Sequence, residues 1–176
     1  MVLETKGDRT LFFDLLPMGM KCPSGLLIKL KVFTVPGQVA HDSTRKAVLS
    51  RADGVIFVAD SQLNQGINNL TSFENLVSNV GRVGLDLDEL PVVVQFNKRD
   101  MEQIISEDSV QTRWQKTGWQ VVFASALKGQ GVTETFSALL AEVYDRTNAE
   151  YLLEKEHQVS KVMFIERLQT AEQFLG

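Results

Sequence analysis

"VVVQFNKRDM", residues 92–101, is an apolar run that stops abruptly in Asn97-Lys98-Arg99-Asp100. A short run without polar alternation predicts a strand covered on both faces, as in parallel sheets. "GVIFVAD" (54–60) and "WQVVFAS" (119–125) look much the same. Helix-length stretches lie between them. In 67–83, Ile67, Leu70, Phe73, Leu76, Val77 and Val80 recur at helical spacing. In "VTETFSALLAEVYDRT" (132–147), Val132, Phe136, Leu139, Leu140 and Val143 share a face. Strands alternating with helices predict an α/β fold with a doubly wound, mostly parallel sheet. Ligands of such sheets bind beyond the carboxyl ends of the strands. Asp60, Asn97 to Asp100 and Ser125-Ala126 all fall there.

Upstream, "TLFFDLLP" (10–17) reads as a bulky apolar strand and "MGMKCPSG" (18–25) as a loop. "LLIKLKVFTV" (26–35) alternates Leu27, Lys29 and Lys31 with Ile28, Leu30 and Val32, the mark of a half-exposed strand. Together they predict an antiparallel hairpin. The formal charge of −4 over 176 residues argues against a nucleic-acid-binding stripe or a polybasic membrane anchor. One cysteine, Cys22, excludes an intrachain disulfide and a thiolate metal cluster. No stretch approaches the length of a membrane span, and a cytoplasmic protein is the expectation.

The polar residues after 96 have a chemical reading. Guanine presents a ring N–H beside an exocyclic amine, and the Asp100 carboxylate can accept from both; adenine offers no such pair. Asn97 can bridge neighbouring loops and touch the base edge, while the Lys98 stem lies over the ring. The bland alternative is a solvated turn with Asp100 near a helix N-terminus. The next strand end adds weight: in "ASALKGQGV", Ser125-Ala126-Leu127 would offer the Ala126 N–H to the guanine carbonyl. Two such motifs at adjacent strand ends, in this order, favour guanine recognition.

"FTVPGQ" (33–38) and "DRTLFFDLLP" (8–17) complete a pattern with "GVIFVADS", "NKRD" and the Ser-Ala-Leu loop. From about residue 1 to about 147 the chain resembles the Ras-like small GTPases, in particular the bacterial mutual gliding-motility GTPases. The resemblance implies a Ras-like P-loop NTPase fold, GTP/GDP and Mg2+ as ligands, and hydrolysis of GTP to GDP in a switch for gliding motility and cell polarity. It implies that Gln38 positions the attacking water and that Gly37 holds the terminal phosphate through its N–H. Thr10 would meet Mg2+ and that phosphate, and Arg9 would be an arginine supplied in cis. Thr34 stands where most relatives place a magnesium-linked Asp, and Asp14 would partly compensate as a metal contact. A roadblock-type activating protein gripping 9–17 and 34–45, together with motility or polarity effectors, is the implied partner set.

The sequence contains no G-x-x-x-x-G-K-[ST] phosphate cradle. Relatives carry it between a first strand and a first helix, upstream of the switch, so an N-terminally truncated domain is expected at 1–147. Residues 1–176 alone are then expected not to hydrolyse GTP. The absent strand would sit between those at 26–35 and 54–60, and buried backbone groups left unmet cost about 1–3 kcal/mol each. A start site placed too late, a partner chain or swap, or a rearranged sheet would each resolve this. The rival functional reading is a non-catalytic Ras-like interaction module that has lost nucleotide binding.

Residues 148–176 are expected to form a C-terminal helical extension. Leu152, Val159, Val162, Met163, Leu168 and Phe174 make an imperfect stripe for a helix folded back on its own domain. His41 and His157, without ligand neighbours, read as surface or loop residues.

Overall fold

The computed structural model describes residues 16–35 and 42–170. They divide into two compact units, Ala52–Val143 and a second that joins the chain before it to the chain from Tyr144 onward.

In the second unit, β1 (Leu16–Lys21) and β2 (Leu27–Val32) form the expected antiparallel hairpin, with Leu16 opposite Val32 and Lys21 opposite Leu27. Strand β1 includes Met18 to Lys21, which sequence reasoning assigned to the loop. Met18 and Met20 are buried one strand period apart. The turn is confined to the residues that favour one, Pro23, Ser24 and Gly25 (φ 94°). It is closed by Cys22 N–H to the Leu26 carbonyl at 2.7 Å and Gly25 N–H to the Cys22 carbonyl at 2.9 Å. Along β2 the alternation predicted from Lys29 and Lys31 is observed. Helix α1 (Asp42–Leu49) follows.

The first unit holds a parallel sheet ordered β3 (Val55–Asp60), β4 (Val92–Asn97), β5 (Gln120–Phe123). Its helices are α2 (Gly66–Arg82), α3 (Glu107–Trp114) and α4 (Val132–Tyr151), the last continuing into the second unit. The central strand is buried from Val92 to Phe96, which is why its sequence shows no alternation. Among the described residues β3 pairs only with β4, and its Val58 is 53% exposed. Among the described residues the same kind of apolar run therefore serves a strand paired on both sides and one paired on a single side.

On one sheet face Phe57, Ala59, Val94, Phe96 and Val110 form a core, and Phe73, Trp114 and Trp119 pack against it. Phe73 meets Phe57 and Trp114 edge-on at 5.2 and 5.0 Å between centroids. This geometry adds about 0.5–1.5 kcal/mol per pair to area burial. The predicted α2 stripe is corrected here. Phe73, Leu76 and Val80 turn inward, whereas Ile67, Leu70 and Val77 are exposed. The six residues cover about half the helix circumference, and only half of that arc meets the sheet.

On the other face the one polar residue within the buried run of β4 is answered. Buried Gln95 donates to Thr135 Oγ1 at 2.8 Å, and Thr135 donates to the Gly131 carbonyl at 2.6 Å. The relay ties β4 to the start of α4.

The C-terminal extension is several elements rather than one helix, and the 147/148 division expected from sequence falls inside α4. After Tyr151 the chain turns at Leu152 (φ 51°), forms α5 (Leu153–His157), turns at Gln158 (φ 55°) and forms α6 (Lys161–Thr170). Each break resets the helical phase. The buried residues are Leu153, Val159, Phe164 and Leu168, while Leu152 and Val162 of the expected stripe are exposed. Phe174 lies outside the described residues.

The expected folding back does occur, for α6 packs on β1. Tyr144 donates its hydroxyl to the Val159 carbonyl at 2.7 Å, and its ring lies 5.4 Å from that of Phe164. His157 Nδ1 lies 2.9 Å from Ser24 Oγ in the hairpin turn, so it is a structural contact. Burial pushes the Cys22 thiol up, opposed by the charge of Arg167 on α6. Among the described residues no helix is long and apolar enough to cross a membrane.

Leu168 is fully buried, so Leu168→Ala should cost about 2–5 kcal/mol, read from denaturant unfolding. It should also speed reaction of Cys22 with a thiol reagent in the folded protein. An unchanged rate would show that α6 does not shield the hairpin.

Candidate functional site

Parallel pairing sets the strand ends side by side. Asp60 lies opposite Asn97, and the Ala124 N–H donates to the Phe96 carbonyl at 2.9 Å. Past these ends the loops are knitted together. Ser61 N–H donates to the Asn97 carbonyl at 2.9 Å, and Arg99 N–H to the Ala124 carbonyl at 3.0 Å. The backbone at Lys98 turns left-handed (φ 66°), a conformation that costs a residue with a Cβ about 1–3 kcal/mol. The bonds around it hold the turn, including Met101 N–H to the Lys98 carbonyl at 3.1 Å.

Within this frame the residues singled out from sequence come together. Asn97 Oδ1 accepts the Ala126 N–H at 2.9 Å. Ser125 donates its hydroxyl to Asp100 Oδ1 at 2.5 Å. Two side chains of the Asn-Lys-x-Asp run are thus held by the Ser-Ala-Leu loop. The Ala126 N–H, which sequence reasoning offered to a base, here donates to Asn97 Oδ1. Leu127 is 88% exposed.

The Ser125 hydroxyl chiefly, then Asp100's own N–H and the charges of Lys128 and Lys98, hold the Asp100 carboxyl below its ordinary value of 3.8 against some desolvation. The group is therefore an ionised acceptor throughout neutral pH. A carboxylate has about four lone-pair positions, so the serine bond leaves capacity for two further donors.

The Ser125 loop depends on one glycine. Ser125 and Gln130 exchange backbone bonds at 2.9 and 3.1 Å, and Gly131 follows at φ 75°. A Cβ on Gly131 would lie 2.4 Å from the Phe123 carbonyl oxygen and 2.8 Å from Ala124 Cα, so no other residue fits without moving the strand end. Thr135, bonded to the Gly131 carbonyl, carries the Gln95 relay into the same loop.

Three further contributors emerge: Asp60 and Arg99, which sequence reasoning placed at the strand ends without a role, and Asn69, which it missed. Arg99 donates from Nη1 to the Ile105 carbonyl at 2.7 Å, and its guanidinium lies 5.0 Å over the Phe123 ring. Asp60 Oδ2 lies 2.6 Å from Lys98 Nζ. Asn69 on α2 engages the main chain of Asp60 at 3.0 and 2.8 Å. No fixed spacing in the sequence links 60, 69 and 98, so pattern reading had no handle on them. Arg9, Thr10, Asp14, Gly37 and Gln38 lie outside the described residues. Among those described, no three His, Cys, Asp or Glu side chains converge as metal ligands.

The ADP-ribosylation factor (Arf) family profile matches residues 25–143, more than half of the chain. The chain is also 39% identical over 137 residues to the mutual gliding-motility protein MglA of Myxococcus xanthus (strain DK1622), covering 78% of this chain and 70% of that protein.

A carboxyl-carbon NMR titration should place the Asp100 midpoint below 3.8. Ser125→Ala should raise it, because the principal bond to the charged form is lost. A midpoint unmoved by that substitution would mean that the serine does not set the charge of Asp100.

Proposed function

The chain belongs to the Arf family of Ras-like small GTPases, and on that premise we propose that it binds guanine nucleotide through Asn97, Lys98, Asp100 and the Ser125-Ala126-Leu127 loop. The observation that carries the reading is the pair of cross-loop bonds, Asn97 to Ala126 and Ser125 to Asp100. They hold a carboxylate acceptor and a backbone donor at adjacent strand ends before any base arrives. In this reading the guanine N1–H and exocyclic amine donate to Asp100. The Ala126 N–H passes from Asn97 Oδ1 to the guanine carbonyl, and the amide of Asn97 turns to the base edge. The Lys98 methylenes cover the ring.

At the reacting end, for a domain completed by a phosphate cradle, we propose the roles that the resemblance supplies. Gln38 orients water, Gly37 holds the terminal phosphate, Arg9 neutralises developing charge, and Thr10 with Asp14 faces magnesium. The biological role proposed is a nucleotide-dependent switch in motility or polarity, suggested by the name of the MglA relative. With it come a cytoplasmic location, a roadblock-type activating partner and motility effectors. The family match does not favour the rival reading of an interaction module without nucleotide binding.

The test is calorimetric titration of the 176-residue chain with GDP and with ADP. GDP binding with ADP rejected is expected. Asp100→Asn should weaken GDP by about tenfold or more and improve xanthosine diphosphate, whose base has an acceptor in place of the exocyclic amine. Equal binding of GDP and ADP, or none of either, would overturn the proposal.

A further inference from the structure

Asp60 ends β3 directly opposite Asn97, and each of its polar groups is committed. Ser61 N–H bonds to the Asn97 carbonyl at 2.9 Å and Val55 N–H to the Pro91 carbonyl at 2.8 Å, so the odd-numbered residues of β3 face β4. Backbone groups alternate along a strand, and those of Asp60 therefore point to the outer edge. There the Asn69 carboxamide takes both: Oδ1 accepts the Asp60 N–H at 3.0 Å and Nδ2 donates to its carbonyl at 2.8 Å. An amide side chain on α2 thus does for one residue what a neighbouring strand would do. The Asp60 carboxylate is divided in turn. Oδ1 accepts the Gln62 N–H at 3.0 Å, and Oδ2 pairs with Lys98 Nζ at 2.6 Å.

The segment that follows is fastened as well. Leu63 N–H donates to the Gln103 carbonyl and Ile105 N–H to the Ser61 carbonyl, both at 2.9 Å. Asp60 is consequently a fixed anchor, 18% exposed in its side chain, while the Lys98 side chain it holds is 52% exposed. Lysine has four rotatable bonds and loses up to about 2 kcal/mol of rotamer freedom when ordered. Its backbone is already set by the left-handed turn. Only the pair with Asp60 restrains the head, among the contacts described.

We propose that Asp60 is a positioning residue of the base site, tethering the Lys98 ammonium so that the lysine stem is laid out for the purine ring before nucleotide binds. This rests on the guanine-binding reading above. Asp60 acts through Lys98 and does not itself touch the base. The tether also neutralises the lysine head locally, so the stem is offered to the ring as apolar surface. Preorganisation of this kind strengthens binding without adding a contact to the ligand.

A double-mutant cycle on GDP binding tests it. Asp60→Asn is near-isosteric: it keeps an Oδ1 acceptor for Gln62 and leaves the Asn69 clamp on the main chain intact. It replaces the oxygen facing Lys98 with an amide that cannot pair with an ammonium. In the parent background it should weaken GDP about fivefold, as expected for a partly exposed ion pair, with thermal unfolding confirming the fold. In a Lys98→Met background, where the stem remains and the charge is gone, Asp60→Asn should change GDP affinity by less than about twofold. Equal losses in both backgrounds would mean that Asp60 acts as general support, and no loss in either would mean that it has no role; each overturns the proposal. If the parent binds no GDP, the guanine reading falls and takes this inference with it, an outcome distinct from parent binding with an additive cycle.

Discussion

The parallel registration of β3, β4 and β5 is the constraint on which the site depends. Asp60, Asn97 and the Ala124-Ser125 step stand together because β4 is buried along five consecutive residues and cannot slip against its neighbours. A slip of one residue would turn Val92, Val94 and Phe96 to the opposite face and part Asn97 from the loop it joins. The aromatic cluster on one face and the Gln95–Thr135–Gly131 relay on the other resist that slip from both sides. Burial and polar bonding therefore act on the same strand for different ends. The first sets its depth, and the second aims the loop beyond it.

Beyond the strand ends, side chains bond to neighbouring loops in preference to solvent. Asn97 reaches Ala126, Ser125 reaches Asp100, Arg99 reaches Ile105 and Asp60 reaches Lys98. Charge-assisted bonds are stronger than neutral ones, and three of these four involve an ionised group. The left-handed backbone at Lys98 is held against its strain by this network. The arrangement of these strand-end loops is therefore a property of the folded unit itself.

The second unit follows a different logic. Its hairpin buries Met18, Met20 and Cys22, and the C-terminal helix α6 packs on β1 with Phe164 and Leu168 buried. A two-stranded hairpin is marginal alone and gains stability from packing against a helix. The chain supplies that helix from its far end, beyond the residues that the family profile matches.

Much of this was legible in the amino-acid order, because the signals concerned are local. Valine runs marked the parallel strands, Lys29 and Lys31 marked the half-exposed face of β2, and the Asn-Lys-x-Asp and Ser-Ala-Leu segments marked the strand ends whose loops bond to each other. Other features depended on neighbours distant in sequence. Which half of the α2 stripe meets the sheet was decided by packing, so Ile67 and Leu70 face outward although Phe73 does not. The breaks at Leu152 and Gln158 reset the terminal helices, so Leu153 and Phe164 are buried beside the expected Val159 and Leu168 while Leu152 and Val162 face outward. Likewise the occupation of the Ala126 N–H by Asn97, and the chain of contacts from Asn69 through Asp60 to Lys98, exist only where parallel strands end together. Sequence determined the elements and the chemistry they carry, since period and residue type are properties of adjacent positions. The tertiary structure decided which groups meet, since hydrogen bonds between loops require a distance that no local pattern encodes.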